Sequence, residues 1–318
     1  MTERYTIISF GYCLCLKCGG KDGCELLLFG QKSLWKQDLR DLQFGRFLMI
    51  FVSSEIKKLK FINLSQAVIW FANEKSISHI EKALSNFMIV SLKQADKNLS
   101  EKFSEYTVKV EPFYTTIIDL SMDEANLWSK LHEISRRYVK KAEKMGVEIS
   151  LNVQLDGAYE LINQFMISRR LRGVIPYEEW QTILKYADVW CGIYNGNLYV
   201  AHVLLKDGID RVRLLWSATR DRISDEVKKI IGAVNRYMHW REILYYKNIG
   251  VKIYDFGGVN LDKYSPTYTI TQFKLSFGGN IIKEHDILLT SNTILKVLFK
   301  SKDFIHERLR LLGYYNDS

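Results

Sequence analysis

The sequence predicts an α/β protein with a mixed sheet, arranged as two domains in tandem plus a C-terminal helix. Three observations carry this. The chain has 318 residues, beyond the usual size of one domain. Short β-rich runs alternate with stretches of helical periodicity along its length. Two tight-turn signals, Asn195-Gly196 and Asp207-Gly208, separate three successive apolar runs, as in an antiparallel meander.

Within the first 110 residues, strand-like runs fall at 6–16, 25–29, 47–52 and 66–71, with a helical stretch over 76–87. Gly19-Gly20 and Lys21-Asp22-Gly23 mark turns. A β-rich run over 115–120 then leads to Ser121, the expected N-cap of an amphipathic helix with Asp123 and Glu124 in its first turn. Leu127, Leu131, Ile134, Tyr138 and Ala142 share one face of that helix, and Gly146 is its expected stop.

A helix over 156–168, capped by Asp156, precedes the arginine-rich loop Arg169-Arg170-Leu171-Arg172. A second helix over 177–186 is entered through Pro176. The meander strands cover 189–194, 198–206 and 211–217. A long helix over 224–247, a strand over 251–256, a short helix over 269–277 and a strand over 281–289 follow. The closing basic helix spans 293–312. Expected domain limits are 1–148, 149–290 and 291–318, the last packing back on the first domain.

Hydrophobic residues make up 47% and charged residues 25%, as in a folded globular protein rather than a disordered one. The net charge of +9 favours an anionic partner: a phosphorylated substrate, a nucleic acid or a membrane surface. No run approaches the ~20 apolar residues of a membrane span. The apolar stretch over 5–16 has Glu3 beside Arg4 and no small-residue cleavage site, so it reads as a buried strand, and a cytoplasmic protein is expected. Cys13, Cys15, Cys18 and Cys24 fall in a C-x-C-x2-C-x5-C pattern that is not a standard zinc spacing. They are expected to be reduced and metal-free, with zinc as the alternative, while Cys191 in an apolar run reads as core.

Two glycine pairs dominate the second half: Tyr254-Asp255-Phe256-Gly257-Gly258-Val259, then Phe273-Lys274-Leu275-Ser276-Phe277-Gly278-Gly279. Glycine pairs after apolar runs mark a sharp turn or a close approach of the backbone. A lysine between aromatic residues is partly desolvated and suited to binding an anion or moving a proton. With these go Thr115-Thr116-Ile117-Ile118-Asp119-Leu120-Ser121, the basic stretch from Arg136 to Glu148, and Asn235…Trp240…Ile243 leading into Gly250. In this order the blocks resemble the FemABX-type peptidyltransferases and the related CelD/BioF-like acyltransferases of the GNAT superfamily, over about 112–290.

The resemblance implies two GNAT-like domains, the first a degenerate one, and an acyl- or aminoacyl-transferase. Its acceptor would be an amine on a phosphorylated, peptidoglycan-type cell-envelope precursor, with peripheral membrane contact. It implies no cofactor and no metal. The donor would be aminoacyl-tRNA or, alternatively, acyl-CoA, with an amino sugar of polysaccharide biosynthesis as acceptor in the second case. A non-catalytic RNA-binding protein on the same frame is the further alternative.

Lys274 matches the family's lysine and is the expected catalytic cation, stabilising an oxyanion or holding a phosphate. Asp255 is expected to orient an amine or take its proton. Arg169, Arg170 and Arg172 are expected to face the acceptor's phosphate or carboxylate, and Tyr254 and Phe273 to line the substrate site. His202 and His239 read as core. Arg137, Lys140 and Lys144, on the basic side of the helix before Gly146, are the expected nucleic-acid or phosphate contacts. Acyl-CoA-using GNAT enzymes bind pyrophosphate on a glycine-rich loop at a helix N-terminus. The corresponding segment, Ala218 to Ser224, has no glycine, and Asp225 and Glu226 follow it. Carboxylates there oppose a pyrophosphate, which tilts the expectation toward aminoacyl-tRNA.

Overall fold

A computed structural model describes residues 49–55 and 63–300. The cysteine cluster at 13–24, the strand-like runs over 6–16 and 25–29, and the end of the closing helix lie outside them.

The chain forms two compact units. Among the described residues, the first takes in those up to Glu111 together with those from His285 to Lys300, and the second takes in Pro112–Glu284. Position 148 lies inside the second unit. The first unit contains strands β1 (Met49–Glu55), β2 (Asn63–Trp70) and β3 (Ile89–Ala95), helices α1 (Ile77–Asn86) and α2 (Asn98–Lys102), and the start of β4 (Thr107–Asp119). The end of β10 (Asn280–Leu289) and α9 (Thr293–Lys300) return to it. β1 and β3 flank β2, antiparallel and parallel respectively, and β10 runs antiparallel to β3. Ile69, Ile80, Leu92, Leu99, Phe103 and Leu289 fill its core, and α9 seats Leu295 and Phe299 against Ile89.

The second unit has a six-stranded mixed sheet in the order β4-β9-β8-β7-β6-β5. Its further strands are β5 (Glu148–Leu151), β6 (Ala187–Tyr194), β7 (Asn197–Asp207), β8 (Arg211–Thr219) and β9 (Ile253–Gly258). The meander forms as its turns dictate. Asn195 and Gly196 both take left-handed backbone (φ 48° and 70°), which lets β6 fold directly onto β7. β9 then joins β8 in parallel, which needs a crossover; the long helix α7 (Asp225–Asn248) supplies it.

Helices cover both faces of this sheet. On β6, Trp190 donates to the Tyr246 hydroxyl of α7, whereas the neighbouring Cys191 thiol points to the Gln154 carbonyl before α5 (Leu155–Ser168). α6 (Tyr177–Ile183) packs on α5's side, where Trp180 stacks on Trp216 of β8. Strands covered on both faces read as continuous apolar runs, which is why 189–194 shows little alternation.

The helix expected after Ser121 is two helices. Asp123, not Ser121, caps α3 (Glu124–Lys130) through the Asn126 amide at 2.7 Å. The chain breaks at Leu131 and restarts as α4 (Glu133–Met145), capped by the His132 ring on the Ile134 amide at 3.3 Å. The apolar periodicity runs through the break because both pieces rest on one core, in which Leu127, Leu131, Val139 and Ala142 are buried. Gly146 ends α4 at φ 72°, as expected. Ser224 caps α7 through the Val227 amide at 3.2 Å. The last helix of the unit, α8 (Tyr268–Leu275), leads into β10.

Candidate active site

The site is built around the end of β9, whose side chains alternate between two environments. Tyr254 and Phe256 face α7. Asp255 faces the other way, toward Arg211 and Arg213 of β8, where it is fully buried. The Asp255 carboxylate accepts from Arg211 Nε at 3.0 Å and Nη2 at 2.6 Å, from the Gly257 amide at 2.7 Å, and from the Thr115 hydroxyl. Arg211 also forks onto Glu284, at 2.6 and 3.0 Å. Burial pulls the Arg211 guanidinium down, and Asp255 and Glu284 more than restore it, so it stays above its ordinary value. Both Asp255 oxygens thus serve protein donors. These bonds tie β4, β8 and the turn at Gly257 together.

The glycine pairs have steric causes. Gly257 is left-handed (φ 74°), and a Cβ there would sit 3.0 Å from the Leu214 carbonyl. Gly278 is also left-handed (φ 79°), and its Cβ would fall 2.6 Å from the Lys130 carbonyl oxygen. Gly279 would meet the Ile117 carbonyl at 2.7 Å. The pairs let the end of β9 and the turn after α8 lie directly on neighbouring backbone. Gly278→Ala is therefore expected to cost about 2–4 kcal/mol, from overpacking against a fixed carbonyl plus backbone strain. Chemical denaturation of the variant beside the parent protein checks this.

Lys274, on α8, reaches this corner. It is half-buried, and its Nζ donates to the Gly258 carbonyl at 2.5 Å. Burial pulls its ammonium down to about 8, nearby Arg213 adds to this, and Asp255 opposes it. Asp255 is hydrogen-bonded by Arg211 rather than by Lys274, so two of the three Lys274 N–H groups have no protein acceptor among the described residues.

Beside Gly258 opens a cleft of about 680 Å³, lined by Phe113, Tyr114, Val259, Asn260, Leu261, Ile270 and Thr271, among others. Its polar side chains satisfy one another. Thr271 donates to the Asn260 carbonyl at 2.9 Å and accepts from the Asn260 amide at 3.0 Å, and the Asn260 side chain donates to Thr267 at 2.9 Å. What remains for a ligand is apolar and aromatic.

On the α7 face lies a wholly buried polar network absent from the expectations. Glu242 binds His202 Nδ1 at 2.8 Å through one oxygen and the Tyr254 hydroxyl at 2.5 Å through the other. Tyr254 also lies 2.8 Å from His239 Nδ1. Burial opposes the Glu242 charge, but His202 and His239 overcome it and hold the carboxyl at about 2. Burial, aided by His202, pulls the His239 imidazole down to about 4. Among the described residues, His202, His239 and Glu242 are the one cluster with metal-ligand character, their donor atoms within 4.8 Å of one another. Glu242 and both Nδ1 atoms already have protein partners, which makes the cluster a hydrogen-bonded core, although the buried His202 Nε2 has none. Tyr254, expected to line the substrate site, belongs to this core.

An acid sensitivity follows. The unfolded chain protonates His239 near pH 6.5, while the folded protein resists until about pH 4. Stability is therefore fully present above pH 6.5 and falls between pH 6.5 and 4, with Glu242 adding a further loss from pH 4.5 toward 2. Denaturant midpoints at pH 7.5 and 5.0 are expected to differ in the parent protein and to converge in His239→Asn.

The remaining expected site residues lie apart. Arg172 forks onto Glu179, at 2.9 Å through each nitrogen. Arg169 lies over the Phe165 ring, and Arg170 adopts left-handed backbone. Arg169 and Arg170 are exposed. Among the described residues, no hydrogen bond, ion pair or ring contact joins this loop to Lys274. Arg137, Lys140 and Lys144 lie on the exposed side of α4, Lys140 over the Trp128 ring. Phe273 packs beside His239 and Phe277, and its ring carries the guanidinium of Arg236. Sequence reasoning missed Arg236, Arg211 and Glu242. Only the three-residue step from His239 to Glu242 on one helix face hinted at any of them.

The fold is shared with several solved structures. FemX aligns over 84% of this chain and 93% of its own, at 11% identity and a TM-score of 0.57. A domain described as the C-terminal part of a lysylphosphatidylglycerol synthetase from Agrobacterium fabrum aligns over 78% of this chain and 85% of its own, at 10% identity and a TM-score of 0.52. L-PGS from Bacillus licheniformis covers 79% of this chain and 85% of its own, at 10% identity and a TM-score of 0.50. The chain has a FemX-like fold. No family model matches the sequence, and no curated protein does. No helix among the described residues is long and apolar enough to cross a membrane.

Proposed function

We propose that this protein is an acyl- or aminoacyl-transferase, with aminoacyl-tRNA as donor and an amine of a phosphorylated cell-envelope precursor as acceptor. The observation that carries the reading is Lys274. Its ammonium is desolvated, fixed by one bond to the carbonyl of Gly258, a residue that lines the apolar cleft, and left with two N–H groups that have no protein acceptor among the described residues. A preorganised cation of this kind stabilises negative charge developing on a carbonyl oxygen.

The acceptor nitrogen attacks the ester carbonyl carbon of the donor, and a C–N bond forms. Lys274 holds the oxyanion of the tetrahedral intermediate. The C–O bond to the tRNA ribose then breaks, and the amine proton passes to the leaving oxygen through solvent. The cleft beside Gly258 receives the side chain of the transferred group, and its apolar lining favours an uncharged one. Envelope acceptor and tRNA donor come from the FemABX resemblance, and the FemX-like fold is consistent with them.

The donor preference has its own support. Ser224 caps α7, Asp225 and Glu226 occupy its first turn, and Arg220 is turned back onto Asn197 and Tyr199. A pyrophosphate arriving there meets carboxylates rather than free amides. The test is transfer of radiolabel from a mixture of aminoacyl-tRNAs, and separately from acetyl-CoA, to amine-bearing envelope precursors. Label leaving the tRNA supports the reading. Label leaving only acetyl-CoA replaces the donor, and binding of RNA without any transfer replaces the enzyme by an RNA-binding protein.

A further inference from the structure

We infer that Arg236 is a phosphoryl-binding subsite, presented against two aromatic rings. Its guanidinium lies 4.9 Å from the Tyr138 ring of α4 and 4.9 Å from the Phe273 ring of α8. Its polar contacts are few: Nη1 makes one long bond, 3.3 Å, to the Gly232 carbonyl of its own helix, and Nε is buried without an acceptor. Arg172 and Arg211 show what this chain does with structural arginines, since each forks onto a carboxylate. Arg236 meets no carboxylate among the described residues.

Removing a charge from water without a counter-ion is costly, and two ring faces return only part of that cost. Two rings lie against the guanidinium, and among the described residues no hydrogen bond occupies Nη2, which is left with part of Nη1 for an acceptor. The N–H groups of a guanidinium match the oxygens of a phosphoryl group. Phe273, which forms one wall, stands on α8, the helix that also carries Lys274. The surroundings favour an anion of nucleotide type: Arg137, Lys140 and Lys144 stand exposed on α4, the helix that supplies Tyr138. No group in the subsite reacts, so it stands or falls separately from the role of Lys274.

The experiment is calorimetric titration of the full chain, at fixed moderate salt, with inorganic pyrophosphate, with ADP and with the trinucleotide CpCpA. Wild type is compared with Arg236→Gln, Arg236→Lys and, as control, the exposed Arg241→Gln. Saturable binding is expected in wild type and in Arg241→Gln. Arg236→Gln is expected to weaken it about 10- to 100-fold, the weight of lost charge-assisted hydrogen bonds, and Arg236→Lys most of the way, because an ammonium lacks the fork. Pyrophosphate should raise the unfolding midpoint of wild type but not of Arg236→Gln. Stronger binding of CpCpA than of ADP assigns the phosphoryl group to an RNA end, and the reverse assigns it to a free nucleotide. The inference is overturned if none of the three saturates wild type, or if either Arg236 variant binds them as wild type does. Should Arg236→Gln fail to fold, Arg236→Lys alone decides.

Discussion

Lys274→Met lowers the rate of transfer about 10²- to 10³-fold, with little change in donor affinity and no loss of fold. That magnitude is typical of removing one preorganised oxyanion donor. Methionine keeps the apolar stem, so packing under α8 survives, and only the ammonium and its bond to Gly258 are lost. Single-turnover transfer with saturating donor separates the rate from affinity, and circular dichroism confirms the fold. The pH profile gives a second signature. With its ammonium pulled to about 8, Lys274 is charged at pH 7 and loses its proton as pH rises through 8. An oxyanion-stabilising lysine makes the rate fall above pH 8, whereas a lysine acting as base makes it rise there. The account expects the fall, and a rising limb centred on pH 8 would reassign Lys274 to proton abstraction.

Glu242→Leu destabilises the protein by about 3–5 kcal/mol, the cost of leaving buried polar partners unmatched. His202, His239 and Tyr254 are all essentially without solvent exposure, and Glu242 is their shared partner. At about 2–4 °C per kcal/mol for a unit of this size, the unfolding midpoint drops by roughly 6–20 °C. A calorimetric scan checks this. Replacing the network as a whole, for example His202→Leu and His239→Phe together with Glu242→Leu, is expected to recover part of the loss, because apolar groups of matching shape need no partners. A triple variant no more stable than Glu242→Leu would show that the network contributes more than pairing.

The parts of this fold legible in the sequence are those set by local chemistry. Asn195-Gly196 and Asp207-Gly208 place the meander, and Gly146 places a helix end, because each depends on backbone that few residues adopt. The break between α3 and α4 was not legible. His132 as a cap is an uncommon device, and the apolar stripe runs on across it. The glycine pairs announced a close approach, but not that its partners would be the carbonyls of Leu214, Lys130 and Ile117.

The site divides in the same way. Lys274 was readable because aromatic and glycine neighbours surround it in the chain. The distant partners were not. Arg211 finds Asp255 across 44 residues and Glu284 across 73, and His202 finds Glu242 across 40. Such pairings depend on strand order and register rather than on spacing. For that reason the buried partners of Asp255 and Tyr254 could not be read from the sequence.

The measurement that bears most directly on the account is a binding titration of the purified protein, at fixed moderate salt, with charged tRNA, uncharged tRNA and acetyl-CoA. The account predicts that charged tRNA binds more tightly than uncharged, in the parent protein and in Lys274→Met alike, and that acetyl-CoA does not saturate. Saturable acetyl-CoA binding, with charged and uncharged tRNA indistinguishable, would contradict it.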